Sequence, residues 1–184
     1  MIILGLAGYA GCGKTTLARH LVEDHGFVRL SFATPIRKAL LAMGIPECFL
    51  TDHKSVSVPP FGKSARYLMQ TLGSEWARDT VNKNFWLYLM EQQLSPFVGQ
   101  DVVIDDVRFD NEAEFIRIKR GHNVRIVRGN TQLDPYASDH ASEDGISSDL
   151  ADFNLENDGS VATAVEQLET LLCHLRSTTS QPMK

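Results

Sequence analysis

The 184-residue sequence predicts a three-layer α/β protein, in which a parallel sheet of about five strands carries helices on both faces. Short apolar segments alternate along the chain with segments of helical periodicity. The run Val102-Val103-Ile104 is apolar without alternation, which is typical of a parallel strand covered on both sides. A glycine-rich turn also follows the first apolar segment and leads directly into a helix-forming run, which indicates a strand–loop–helix unit.

The first half of the chain is predicted to hold two strands and four helices. Glycine and proline set most of the boundaries, and Thr34 is predicted to cap a helix that begins at Pro35. Residues Thr51–Gly62 are predicted to be a loop. The predicted strands are Met1–Ala7 and Phe27–Phe32, and the predicted helices are Lys14–Asp24, Pro35–Met43, Lys63–Asp79 and Asn82–Leu94.

The second half of the chain continues the alternation. Its polar segment 129–148 is predicted to be a mobile loop or lid, and the tail 177–184 is predicted to be flexible. Residues 1–176 are therefore expected to form a single domain. The predicted strands are Asp101–Asp106, His122–Val127 and Asp152–Leu155, and the predicted helices are Asn111–Arg120 and Val161–Arg176.

Composition narrows the class of protein. The net charge of −5 argues against a general nucleic-acid binder, which would normally carry a basic patch. The three cysteines, Cys12, Cys48 and Cys173, are widely spaced and odd in number, so we expect free thiols in a reducing cytoplasm. We expect no membrane span, because the N-terminal apolar run is too short and has no basic leader.

The segment Gly8-Tyr9-Ala10-Gly11-Cys12-Gly13-Lys14-Thr15 matches the phosphate-binding P-loop pattern in full and predicts a P-loop NTPase fold. Its glycines let backbone N–H groups converge on phosphate oxygens, and the following helix adds the positive end of its dipole. Lys14 is predicted to bind the outer phosphates of ATP, and the Thr15 hydroxyl to hold Mg²⁺. The predicted nucleotide-binding residues are Gly8, Ala10, Gly11, Cys12, Gly13, Lys14, Thr15, Thr16, Asn157 and Asp158.

Other polar residues follow the remaining strands of the predicted sheet, and in such sheets ligands bind at the carboxyl edge. Asp105, Asp106 and Arg108 follow one strand, Arg37 follows another, and Arg128 precedes the lid. Adjacent strand residues point to opposite faces, so we favour Asp106 as the carboxylate that holds Mg²⁺, while capping of the next helix is the structural alternative. The arginines exceed what one Mg²⁺–triphosphate needs, which predicts a second anionic ligand.

A further candidate surface lies on the predicted helix Lys63–Asp79. One side of that helix would carry small and polar residues, and Gln70 there could offer both a donor and an acceptor to a base edge. A solvated surface explains the same pattern equally well, and both interpretations stay open at this point. The residues concerned are Arg66, Gln70, Gly73, Ser74 and Ala77.

Four segments besides the P-loop combine polar, aromatic and charged residues in a distinctive way. They are Ser31-Phe32-Ala33-Thr34-Pro35-Ile36-Arg37, Leu68-Met69-Gln70-Thr71-Leu72-Gly73-Ser74-Glu75-Trp76-Ala77-Arg78, Asp106-Val107-Arg108-Phe109-Asp110-Asn111-Glu112-Ala113-Glu114 and His140-Ala141-Ser142-Glu143. Together with the P-loop, these segments resemble the deoxynucleoside monophosphate kinases encoded by tailed bacteriophages. Met69, Ala77 and Asp110 are departures from the pattern of that family.

The resemblance implies an enzyme that uses ATP and Mg²⁺ to convert a deoxynucleoside monophosphate to the diphosphate. It implies that Arg37, Arg66 and Arg108 hold the acceptor phosphate or the transferred group, and either Asp105 or Asp106 could orient that phosphate. It places the nucleoside near Gln70, Glu75 and Trp76 in a helical region 34–94, and gives Arg128 and the lid a role in closure. Lys14, Arg108, Asp106 and Arg128 are the predicted catalytic residues.

Expectations about partners follow from the same resemblance. The partner is a small nucleotide, and a homodimer is compatible with the family. If the gene belongs to a phage, the compartment is the host cytoplasm. Three rival functions stay open at this point: a dephospho-coenzyme A or shikimate type of kinase, a nucleotide-dependent switch, and a kinase for nucleic-acid ends. The sequence decides neither the base nor the sugar of the acceptor.

Overall fold

A computed structural model of the protein describes residues 1–129 and 145–179. The chain divides into two compact units. The first unit combines Met1–Leu30 with the chain from Phe97 onward, and we call it the loop unit because it carries the phosphate loop. The second unit is Ser31–Pro96, and we call it the insert unit. Its bounds lie within a few residues of the helical region 34–94 that was predicted to contain the nucleoside-binding residues.

The loop unit contains a five-stranded sheet in which every neighbouring pair is parallel. The strands are β1 (Ile3–Ala7), β2 (Val28–Leu30), β5 (Val102–Val107), β6 (His122–Val127) and β7 (Phe153–Glu156). Their spatial order is β2-β5-β1-β6-β7, so the strand that precedes the phosphate loop lies at the centre. The parallel sheet confirms the predicted fold class.

Helices cover both faces of this sheet. Helices α1 (Lys14–His25) and α7 (Val161–Thr179) bury apolar residues against one face, together with Leu4 and Leu6 of β1. Helix α6 (Asp110–Ile118) packs on the opposite face, where the Ile116 side chain lies so close to Gly5 that a Cβ atom there would collide with it. This close approach explains why β1 carries a glycine at its centre. The central strand, buried on both faces, brings the phosphate loop to the carboxyl edge.

The insert unit is mostly helical, with one small hairpin. Its core gathers residues from several short elements, including Leu40, Leu50 and Val58. The elements are α2 (Ala33–Ala42), α3 (Glu47–Leu50), β3 (Ser57–Val58), β4 (Lys63–Ser64), α4 (Ala65–Gln70), a π-helix (Thr71–Val81), α5 (Phe85–Leu94) and a 3₁₀ turn (Ser95–Phe97).

The predicted cap at Thr34 is wrong. Helix α2 begins at Ala33, and the Ser31 hydroxyl accepts the Ala33 backbone N–H at 3.1 Å. Thr34 and Pro35 therefore lie inside the first turn. A proline is tolerated there because the N–H groups of the first turn have no partner within the helix.

The predicted helix Lys63–Asp79 is also wrong in detail. Lys63 and Ser64 pair with β3 as an antiparallel hairpin, so the predicted loop 51–62 contains a strand. Ser64 then caps α4 by accepting the Tyr67 N–H at 3.2 Å. From Thr71 the backbone turns into a π-helix, which changes the side-chain spacing beyond Gln70. The small and polar residues from Arg66 to Ala77 therefore do not share one α-helical face.

The remaining differences concern boundaries. Helix α5 begins at Phe85 rather than Asn82, because Asn82 is extended and ends the π-helix. Helix α7 continues to Thr179, so residues 177–179 are helical rather than part of a flexible tail. A 3₁₀ turn at Ser148–Leu150 closes the predicted lid segment, of which residues 130–144 lie outside the described chain. No described helix has both the length and the apolar character needed to cross a membrane.

Candidate phosphate-binding site

The phosphate loop connects β1 to α1 and depends on glycine for its shape. Gly13 precedes the helix with φ of 110°, a conformation that side chains rarely adopt. A Cβ atom at Gly13 would collide with the Asn157 side-chain amide, and one at Gly8 would lie 2.5 Å from the Ile126 carbonyl oxygen. Glycine at positions 8 and 13 therefore allows both the turn and the close approach of Ile126 and Asn157 to the loop. Since the first N–H groups of a helix lack partners within it, the start of α1 offers donors for an anion.

Lys14 lies across this loop. Its Nζ donates to the Gly8 carbonyl oxygen at 2.6 Å and to the Tyr9 carbonyl oxygen at 2.8 Å. The Sγ atom of Cys12 lies 3.7 Å from the same Nζ, and Cys12 is fully buried. The ammonium group is thus held at the loop by neutral carbonyl groups. An arriving phosphate could replace those carbonyls with a stronger, charge-assisted contact.

Residues that follow β6 and β7 reach the same loop. The Asn157 side chain donates to the Cys12 carbonyl oxygen at 2.7 Å, and Arg128 Nη1 donates to the Gly11 carbonyl oxygen at 3.3 Å. Asp158 accepts the Gly129 backbone N–H through its Oδ1 atom. The structure therefore brings Arg128 and Asn157 to the loop, as expected for strand ends at one edge of a parallel sheet. Asp158 holds the start of the lid segment.

The two adjacent acids of β5 have different surroundings. Asp105 is only 8% exposed and accepts from Arg29 of the neighbouring strand β2, with Nε at 2.8 Å and a second contact through Nη2. Asp106 is half-buried. The register between β1 and β5 shifts across these two residues, so simple alternation does not describe them. The pairing with Arg29 favours a structural role for Asp105, and its proposed part in substrate binding stays a prediction.

Arg108 follows β5, and its backbone is held by a residue that the sequence analysis did not single out. Glu112 is 2% exposed, and its carboxylate accepts the N–H groups of Arg108 at 2.8 Å and Phe109 at 3.2 Å. A glutamate at the third position of a helix, reaching back to the residues before it, is the signal that could have identified this contact. The buried carboxylate fixes the direction in which the chain leaves β5.

Asp110 fixes a second connection. Its carboxylate accepts the Ser147 backbone N–H at 2.7 Å and the Ser147 hydroxyl at 2.5 Å. This residue is one of the departures from the family pattern, and it ties the start of α6 to the chain just after the lid segment. His140, Ser142 and Glu143, which belong to one of the segments that resemble the family, lie outside the described residues.

Within the insert unit, the predicted substrate residues have different environments. Arg37 is half-buried, and its Nε is enclosed without a hydrogen-bond partner among the described residues. Arg66 and Gln70 are half-buried, whereas Glu75 is exposed. Trp76, which could have packed inward, is 47% exposed and meets the edge of the Phe85 ring. An unpaired buried donor is costly, so the Arg37 Nε is a group that an acceptor on a ligand could satisfy.

Known proteins are similar in sequence to much of this chain. A sequence model described as deoxynucleotide monophosphate kinase matches residues 61–168. A protein of Acanthamoeba polyphaga mimivirus, provisionally named a deoxynucleotide monophosphate kinase, is 31% identical over 144 residues, which cover 70% of this chain and 75% of that protein. The deoxynucleoside-5′-monophosphate kinase of Escherichia phage T5 is 30% identical over 105 residues, which cover 55% of this chain and 42% of the phage protein.

Solved structures support the fold alone. The crystal structure of TT1252 from Thermus thermophilus aligns with a TM-score of 0.54 at 19% sequence identity, and the alignment covers 95% of this chain and 97% of that one. The similarity therefore extends over both the loop unit and the insert unit. The match to the phage T5 protein, by contrast, spans less than half of that protein's length.

Proposed function

Because the chain belongs to the deoxynucleotide monophosphate kinase family, we propose that it transfers the terminal phosphoryl group of ATP to a deoxynucleoside 5′-monophosphate. The products are ADP and the deoxynucleoside diphosphate. The observation that carries the proposal is the complete phosphate loop, with Lys14 Nζ at the Gly8 and Tyr9 carbonyls and Arg128 at the Gly11 carbonyl. One anionic ligand would meet two cations and the start of a helix at the same loop.

The loop unit binds the donor in this proposal. The N–H groups around Gly13 and the start of α1 contact the phosphates, and Lys14 moves from the loop carbonyls to the outer phosphates. Thr15 and Asp106 supply the oxygen ligands that Mg²⁺ prefers, and both are solvent-accessible at least in part, so the residues present fit this ion. When bound, Mg²⁺ neutralises charge on the donor phosphates.

In the proposal, arginine side chains bind the phosphate group of the acceptor. Two phosphates repel each other, and guanidinium groups offset that repulsion and spread the charge of the transition state. Arg108 leaves β5 in a direction fixed by Glu112, which is the preorganisation such a role requires. Arg37 and Arg66 of the insert unit are assigned to the acceptor phosphate, and the orphaned Nε of Arg37 supports its assignment. Gln70, Glu75 and Trp76 are assigned to the nucleoside.

Arg128 and segment 129–148 act as a lid in the proposal. A closing lid would keep water from replacing the acceptor phosphate as nucleophile. Asp158 and Asp110 hold the described chain on either side of residues 130–144, through Gly129 and Ser147. We further propose that the partners are small nucleotides and that the enzyme works in the cytoplasm, or in that of a host if the gene is viral.

A coupled ADP-release assay over all common nucleoside and deoxynucleoside monophosphates tests the proposal. We expect ADP release that depends on a deoxynucleoside monophosphate and appearance of the matching diphosphate. Lys14→Ala should remove the activity, and Lys119→Ala, in which a lysine at the end of α6 is truncated, should retain it. Activity confined to shikimate, dephospho-coenzyme A or an oligonucleotide end would refute the proposal, as would nucleotide binding without transfer.

A further inference from the structure

Two histidines and a glutamate meet between the first and last helices of the loop unit. His20 and His25 lie on α1, and Glu169 lies on α7. Each imidazole Nε2 lies 2.6 Å from the same Glu169 Oε1. One ligand atom from each of the three residues lies within 4.8 Å of the other two. Residues more than 140 positions apart in the chain thus converge on one point.

The His20 ring lies between two carboxylates. Its second nitrogen, Nδ1, lies 2.6 Å from the Asp24 carboxylate, one helical turn further along α1. Its Nε2 is directed at the Glu169 oxygen at 2.6 Å. A ring nitrogen that faces a carboxylate oxygen favours a positive centre between the two atoms, which is either a proton or a metal ion. The Nε2 of His25 brings a second ring nitrogen to the same carboxylate oxygen.

We propose that His20, His25 and Glu169 form a binding site for a divalent transition-metal ion, with Zn²⁺ as the preferred ion. Two imidazole nitrogens and one carboxylate oxygen, with a fourth position for water, are a donor set suited to zinc rather than magnesium. Ligand atoms of a tetrahedral zinc ion stand about 3.3 Å apart, as follows from metal–ligand distances of about 2.0–2.2 Å. Both Nε2–Oε1 distances are 2.6 Å, so the Glu169 carboxylate would move outward by roughly 0.7 Å to admit the ion.

Asp24 acts as a positioning residue for this site. A metal-binding histidine usually donates its other N–H to a carboxylate, which fixes the ring and its tautomer. The contact between His20 Nδ1 and Asp24 provides that arrangement. The rings are also partly shielded from water, since the side chains of His20 and His25 are 19% and 14% exposed, while Glu169 is 42% exposed and leaves a path for entry.

The site is distinct from the phosphate site. His20 and His25 lie six and eleven residues beyond Lys14, or about 9 and 16 Å along an α-helix at about 1.5 Å per residue. A bound ion would join α7 to the helix whose other end carries the phosphate loop. Its occupancy should stabilise the loop unit, because an ion that binds only the folded chain shifts the folding equilibrium. This inference does not depend on the kinase activity.

Zinc binding to the untagged full chain tests the inference. Exposed thiols also bind zinc, so every chain in the experiment, including the reference chain, carries the substitutions Cys48→Ser and Cys173→Ser. After chelator treatment and dialysis, equilibrium dialysis with elemental analysis should give one zinc ion per chain. His25→Ala and Glu169→Gln should lower the affinity by more than about 100-fold, and Asp24→Asn by about 10–100-fold. His174→Ala, an exposed histidine on the same α7, should leave the affinity unchanged.

The NMR signals of the imidazole rings give a second measurement, which needs no substitution of the metal-binding residues. Zinc should shift the ring signals of His20 and His25 and leave the other four of the six histidines in place. Absence of stoichiometric zinc would overturn the proposal, as would equal affinity in a His20→Ala/His25→Ala/Glu169→Gln chain. Signals from His20 and His25 that respond to pH but not to zinc would also overturn it, and would indicate a proton-linked ion pair instead.

Discussion

The loop unit and the insert unit present their polar groups in different ways. In the loop unit, the backbone makes most of the contacts around the phosphate loop: Lys14, Arg128 and Asn157 all donate to its carbonyl groups. In the insert unit, the groups assigned to the substrate are side chains on helices, such as Arg37 and Gln70. Under the proposed function, the loop unit would bind the phosphates of the donor, and the insert unit would bind the phosphate, base and sugar of the acceptor.

This difference has a physical reason. Phosphate is the same in every nucleotide, so a backbone cradle can recognise it with little help from side-chain identity. Bases and sugars differ in their edges, and only side chains can vary enough to match them. We therefore expect changes in the loop unit to affect catalysis or folding with any substrate. Changes in the insert unit should affect the acceptor alone.

The largest expected effect is that of Arg108→Ala. Removal of an arginine that stabilises the transferring phosphoryl group should lower kcat/KM by about 10³–10⁵-fold with every acceptor. Thermal unfolding should change much less than activity, because the Arg108 backbone N–H that Glu112 binds is kept in the variant. Steady-state kinetics and a melting curve check both parts. Arg19→Ala, an exposed arginine on α1, is the matched control, and near-normal activity of Arg108→Ala would contradict the assigned role.

Arg37→Ala should act on the acceptor only. Loss of a charge-assisted contact to phosphate corresponds to about 1.5–3 kcal/mol, so KM for the monophosphate should rise about ten- to a hundredfold. KM for ATP should stay within about twofold, since the donor contacts are assigned to the loop unit. Initial rates with each substrate varied in turn make the measurement, and the exposed neighbour Lys38→Ala serves as control. Equal increases in both KM values would remove the distinction between the units.

Glu112→Ala should lower the free energy of unfolding by about 1–3 kcal/mol. The substitution leaves two backbone N–H groups, of Arg108 and Phe109, without their acceptor. Glu112→Gln keeps one acceptor oxygen and should recover part of the loss. Urea denaturation gives the numbers, and the exposed Glu114→Ala on the same helix should change stability by no more than about 0.5 kcal/mol. A stable Glu112→Ala chain would show that this carboxylate does not hold the turn.

A pair of glycine substitutions compares the two units directly, and its Gly73→Ala member has the smallest expected effect. Gly13→Ala requires a left-handed alanine and a collision with Asn157, so we expect a loss of about 1–3 kcal/mol together with loss of ATP binding. Gly73→Ala in the insert unit meets only the end of the Ile36 side chain, at 3.1 Å, and should stay within about 1 kcal/mol. Chemical denaturation and nucleotide titration compare the two. Similar losses would mean that the loop depends on glycine no more than the π-helix does.

The sequence predicted the loop unit well because its features are local. Glycines, a lysine and an adjacent apolar strand within fifteen residues define the phosphate loop, and the five parallel strands appeared as short apolar segments. Arg128 and Asn157 were predictable because parallel strands end at one edge. Glu112 was missed because a helical glutamate normally faces water, and only the tertiary structure shows that this one is buried.

The insert unit was harder to predict, since its irregular features depend on contacts between elements. The Trp86 indole N–H donates to the Gly73 carbonyl oxygen at 2.7 Å, a contact thirteen residues along the chain that no periodicity reveals. A two-residue strand such as β3 is also too short to give an alternating pattern. The roles of Arg37, Arg66, Gln70, Glu75 and Trp76 came from family resemblance and stay predictions.

The π-helix Thr71–Val81 carries one residue more in each hydrogen-bonded ring than an α-helix does, as the backbone bond from the Asn82 N–H to the Ala77 carbonyl oxygen five residues earlier illustrates. Deleting one residue there would restore α geometry and rotate each later side chain by about 100° around the axis. Relatives that differ by one residue in length across this segment will therefore present different side chains at equivalent places. If this segment contacts the acceptor as proposed, gain or loss of a single codon would change acceptor selectivity and leave the phosphate loop untouched.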